Sequence, residues 1–132
     1  MPVRVVRLGT PRRRDEGLRL GTVRRPPRGV PRSEFASRDF YDVWVPDLAP
    51  SQTLLSWVTS QPLTQARWQR FVRQYRKEMR TPATQRLIGL LAALSSRTNL
   101  SVGCYCEDES RCHRSVLRAL LTDAGAIMAA ER

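Results

Sequence analysis

Hydrophobic and polar positions along the first 45 residues follow the pattern of short strands, and beyond them the spacing becomes helical. VRVVRL (3–8) and LRLGTVR (18–24) have β-branched content or alternation, and GTPRRRDEG between them reads as a loop. RRPPRGVPR cannot be helix, because Pro26, Pro27 and Pro31 remove backbone donors and hold the chain extended. YDVWV (41–45) is the third strand candidate, and Pro46 ends or bends it. From there Ser51 reads as an N-cap, with Leu54, Leu55 and Val58 forming a short helix behind it. Trp68, Phe71, Val72, Tyr75 and Met79 recur every three to four residues, predicting an amphipathic helix from about 65 to 80. Its aromatic stripe is core, and Arg67, Arg70, Arg73, Lys77 and Arg80 read as a solvated face.

Thr81-Pro82 is a helix start, with Thr as cap and Pro at the first helical position, and Leu87, Ile88, Leu91 and Leu94 form its buried stripe. Asn99 turns the chain. LSVGCYC (100–106) has the apolar continuity of a buried strand, and SVLRALLTDAG (115–125) is a helix stopped by Gly125. The expected fold is α/β: one compact domain over 1–132 with a short, mostly parallel sheet flanked by helices in a Rossmann-like three-layer arrangement. Residues 1–40 form a basic, Pro/Arg-rich part and 126–132 a tail.

A length of 132 residues suits one such domain. No apolar run approaches the roughly 20 residues that a membrane span requires, and MPVRVVRLGT alternates Arg with Val where a signal peptide would be continuously apolar. A cytoplasmic protein without membrane partners is expected. The three cysteines, all within 104–112, are too local to staple a fold, so reduced thiols are expected. Lys77 is the only lysine, so the net charge of +11 is carried by arginine. Arginine's planar fork suits phosphate, which points to a nucleic-acid or nucleotide partner. A GC-rich genome explains the Arg-to-Lys ratio equally well, though not the charge itself.

CYCEDESRCHRS (104–115) joins the last strand to the last helix and holds every cysteine and the lone histidine, His113. In open α/β sheets ligands bind beyond the carboxyl ends of the strands. A helix starting near Cys112 would aim free amides and a positive dipole end at that region, reinforced by Arg111 and Arg114. The same setting favours a thiolate, which makes Cys112 the candidate nucleophile, with His113 as acid or base and Glu107 or Asp108 as orienter. Cys104, Cys106, Cys112 and His113 are four soft ligand types, but C-x-C-x5-C-H lacks paired metal spacing, and no metal is expected. Cys112 to Arg118 formally fits a C-x5-R phosphate loop, yet its interior has no glycine and lies within the helix. Against all of these stands a packed strand end with a solvated turn, the preferred reading for Cys104.

The pair C-Y-C-E-D and C-H-R-S resembles the corner of the YeaO-like family, domain of unknown function 488. Arg24-Arg25-Pro26-Pro27-Arg28-Gly29-Val30 is similar to that family's R-x-W-P-R-G-V segment, with proline where the family has tryptophan. Tyr41-Asp42-Val43-Trp44, Leu48-Ala49-Pro50-Ser51, Trp68-Gln69-Arg70-Phe71, Tyr75 and Glu78 stand in order where its further motifs do. The resemblance spans residues 3–124 and implies a compact α/β domain whose C-H-R element points to Cys112, His113 and Arg114. On this reading the corner, with Arg24, Arg25 and Arg28 if their loop folds over it, binds an anionic, phosphate-bearing small molecule. Phosphate- or sulfur-transfer chemistry is its expected use. The rival expectation is a non-enzymatic protein gripping nucleic acid through its arginine-rich surface.

Overall fold

The computed structural model describes residues 2–129; Met1 and residues 130–132 of the expected tail lie outside the described residues. Four strands, β1 (Val3–Arg7), β2 (Leu18–Gly21), β3 (Val43–Trp44) and β4 (Leu100–Cys104), form one sheet in the order β1-β4-β2-β3. Every pairing is parallel, with Val3 opposite Leu100 and Arg7 opposite Cys104 on one side of β4, and Leu18 opposite Leu100 on the other. β4 is therefore interior, and all five of its residues are buried, as the unbroken apolar run requires.

Four helices follow the periodicity: α1 (Gln52–Thr59), α2 (Gln65–Glu78), α3 (Pro82–Leu94) and α4 (His113–Asp123). The caps are chemical. The side chains of Ser51, Thr64 and Thr81 accept from the backbone amides of Leu54, Arg67 and Thr84, and Gly125 supplies the positive φ of 93° just beyond α4. All four helices bury their stripes in one core with the β residues Val3, Leu20, Leu100 and Val102. Within it Trp68, Phe71 and Tyr75 stack in a row, so the aromatic stripe of α2 is core.

The other sheet face is covered by irregular chain. Glycines make this possible: Tyr41 lies so close over Gly21 that an added Cβ would fall 2.3 Å from its ring, and Leu8 closes over Gly103. Beneath this cover Arg19 and Glu16 form a buried bidentate ion pair, Nε to Oε2 at 2.7 Å and Nη2 to Oε1 at 2.9 Å. Ser101 donates to the same carboxylate, and Arg19 Nη1 donates to the Thr10 and Asp39 carbonyls. The pair thus ties two loops to β4, with its charges and hydrogen-bonding groups internally matched. Part of the basic N-terminal charge is structural, including Arg12, which donates to Asp39 and Asp42.

Candidate functional site

β4 ends at Cys104, the chain crosses a short 3₁₀ turn at Glu109–Arg111, and α4 begins at His113 with Cys112 as its N-cap. Strand alternation separates the side chains of 104 and 105. Cys104 faces a small apolar cluster with Leu8, Val23, Tyr41 and Cys112, while the Tyr105 hydroxyl donates to the Arg25 carbonyl at 2.9 Å. Beyond the strand end the return of the chain brings Cys104, Cys106 and Cys112 together, their Sγ atoms all within 4.8 Å of one another. Cys104 and Cys112 are each 2% exposed, with Sγ atoms 2.7 Å apart; Cys106 is the exposed thiol of the three. All three are free.

His113 is buried, and its Nε2 lies 2.7 Å from the Thr22 carbonyl oxygen. A carbonyl only accepts, so Nε2 carries the proton and Nδ1 keeps its lone pair. That lone pair lies 3.7 Å from Cys112 Sγ. The Tyr75 ring meets the imidazole edge-on, and burial pushes the His113 pKa down to about 4, so the ring is neutral.

The thiols divide one negative charge among themselves. Hydrogen bonds from Cys104 and Cys112 pull Cys106 far below the ordinary thiol range, against some desolvation, with help from the charge of Arg114. Cys112 is lowered by its bond with Cys104 but raised more by Cys106 and by burial, to about 11. Cys104 is raised by its bonds with both other thiols and by burial. The first thiolate therefore belongs to Cys106, at the mouth, with the two buried thiols as its donors.

Arg114 is 3% exposed and bends back so that Nη2 donates to the Cys106 carbonyl at 2.5 Å, while its buried Nε has no partner. It shapes the loop and adds positive charge beneath it. Arg111 is exposed and donates to Gln65. Arg24 is used internally, on the carbonyls of Pro46, Ala49 and Pro50. Arg25, bonded to Gln52, joins Arg28, Pro26, Pro27, Phe40 and Tyr105 around an open cavity of about 530 Å³. The structure does not bring Glu107 to His113: its carboxylate is exposed and pairs loosely with Arg7 at 3.5 Å. The imidazole is oriented instead by the Thr22 carbonyl, a backbone group with no signature in residue type. Cys106 could have been singled out by counting alternation from Cys104 past the strand end.

Among the described residues, these three sulfurs are the one group placed to share an ion. Ligands of a tetrahedral zinc at about 2.3 Å stand about 3.8 Å apart, and the 2.7 Å between Cys104 and Cys112 is much shorter. That spacing departs from the tetrahedral one, and no metal is assigned to the three sulfurs.

A family model described as "Active DUF488-N3 subclade" matches residues 3–125. Searches of the curated proteins and of the solved structures gave no match.

Proposed function

The chain belongs to the DUF488 family, and from that premise we propose that it is a cysteine-dependent transfer enzyme acting on an anionic small molecule at the strand-to-helix corner. The observation that carries this reading is one exposed thiol, Cys106, backed by two buried thiols, Cys104 at the end of β4 and Cys112 at the N-cap of α4. Cys106 takes the nucleophile role that its helix position suggested for Cys112, since a group that is 2% exposed cannot meet a substrate in solvent. Cys112 donates to the thiolate, with the Nδ1 lone pair of neutral His113 3.7 Å from its Sγ. The α4 amides and Arg114 provide positive potential for the ligand's charge, with Arg111, Arg25 and Arg28 further out. The word "active" in the description of the matching subclade agrees with a chemical role.

The test is alkylation with a charged and a neutral reagent. Iodoacetate and iodoacetamide differ in little but the carboxylate, so their rate ratio at Cys106 reads the local potential. The expected result is a ratio higher than that of a cysteine in an unstructured peptide; an equal or lower ratio overturns the anion site.

A second reading rests on a cavity of about 830 Å³ along β1, whose lining includes Arg4, Arg7, Arg13 and Arg118. Here nucleic-acid phosphates would be the ligand. Affinity should then fall steeply with salt and survive Cys106→Ser; binding that ignores salt removes this reading.

A further inference from the structure

Transfer through Cys106 needs one thiol, and the corner holds three. The two extra sulfurs have no packing reason to be cysteine in particular, since alanine or valine would fill an apolar cluster as well. What distinguishes a thiol there is that it can attack sulfur. We propose that Cys106, Cys112 and Cys104 form a relay that reduces an organic disulfide bearing negative charge. The inference rests on the Cys106 reading and names its substrate class as divalent sulfur.

The geometry gives each thiol a separate step. Cys106, alone exposed, attacks one sulfur of the substrate; the substrate S–S bond breaks, a mixed disulfide forms on Cys106, and the first thiolate leaves. Cys112, within 4.8 Å of Cys106, attacks the Cys106 sulfur as its proton passes to the substrate sulfur that departs. The second substrate sulfur leaves as a thiol, and Cys106 and Cys112 are joined. Cys104, with Sγ 2.7 Å from that of Cys112, then attacks the Cys112 sulfur. Its proton goes to the first substrate thiolate, and Cys106 returns as a thiolate. Two electrons pass from the Cys104 and Cys112 thiols to the substrate, which ends as two thiols, and the protein ends with a Cys104–Cys112 disulfide. Burial matters to the order: at 2% exposure neither Cys104 nor Cys112 reaches the substrate, so oxidation enters only through Cys106 and comes to rest where solvent thiols cannot readily reduce it.

The experiment uses the reduced full-length chain and one equivalent of dithiobis(nitrobenzoate), an anionic aromatic disulfide whose released thiolate is coloured. The relay predicts two coloured thiolates per reagent, no adduct on the protein, and a Cys104–Cys112 cross-linked peptide after digestion under acid. Cys112→Ser, or Cys112→Ala if serine disturbs the fold, should release one thiolate and keep the mixed disulfide on Cys106. Cys104→Ser should release two and stop at the Cys106–Cys112 disulfide. One thiolate with a lasting adduct on Cys106 of the unmodified chain overturns the relay and leaves the nucleophile standing. Failure of Cys106 to react overturns both. The stoichiometry of the unmodified chain decides the matter without any variant.

Discussion

Acidification should loosen α4 from β2, because His113 is buried between them in its neutral form and burial opposes its charging. The imidazole gives its only proton to the Thr22 carbonyl at 2.7 Å and has a thiol at its other nitrogen, in a pocket closed by Tyr75. A second proton would place a cation there, and burial has already moved the pKa from 6.5 to about 4. Between these values the unfolded chain binds a proton that the folded chain refuses, so stability rises with pH through this window and is lost as pH falls through it. At 1.36 kcal/mol for each unit, the interval is worth about 3 kcal/mol. Urea unfolding at several pH values between 7 and 4 measures it, with His113→Gln as the reference. Glutamine can still donate an N–H to Thr22 but does not titrate. Carboxylates affect both proteins alike, so the stability difference between them isolates the imidazole, and it should shift against the wild type by up to about 3 kcal/mol on going to pH 4. A difference that stays constant across this range would refute the neutral, buried imidazole.

Glu16→Gln leaves the Arg19 guanidinium buried without its charge partner and should cost about 3–5 kcal/mol in urea unfolding. Gly103→Ala puts a Cβ 2.7 Å from the Val6 carbonyl oxygen, a backbone atom that cannot step aside, and should cost about 1–3 kcal/mol by the same assay. Ser51→Ala removes the α1 cap and a hydroxyl bonded to Glu78; a loss of about 1 kcal/mol in thermal unfolding is expected.

Local chemistry explains why much of the fold was legible. Ser51 and Thr81-Pro82 start helices where side-chain capping makes them start, the α2 stripe is apolar at the helical period, and β4 reads as interior because all its side chains are buried. The chain's own residue types could not show which arginines face inward. Arg19 has the look of its exposed neighbours, and only the convergence of Glu16, Ser101 and two loop carbonyls makes its burial tolerable. The same limit applied at the corner. Spacing located the cluster and the start of α4, but the choice among thiols depends on exposure, and exposure depends on how far the 105–112 loop swings past the strand end. His113 was visible as a residue, whereas its partner is a carbonyl on β2's continuation, 91 positions away.

The most direct test of Cys106 as the reactive group is labelling of the native chain at neutral pH with less than one equivalent of iodoacetamide, followed by peptide mapping. The account predicts label on Cys106, with Cys104 and Cys112 unmodified until the protein is unfolded. Label on Cys112 at an equal or greater level would contradict it.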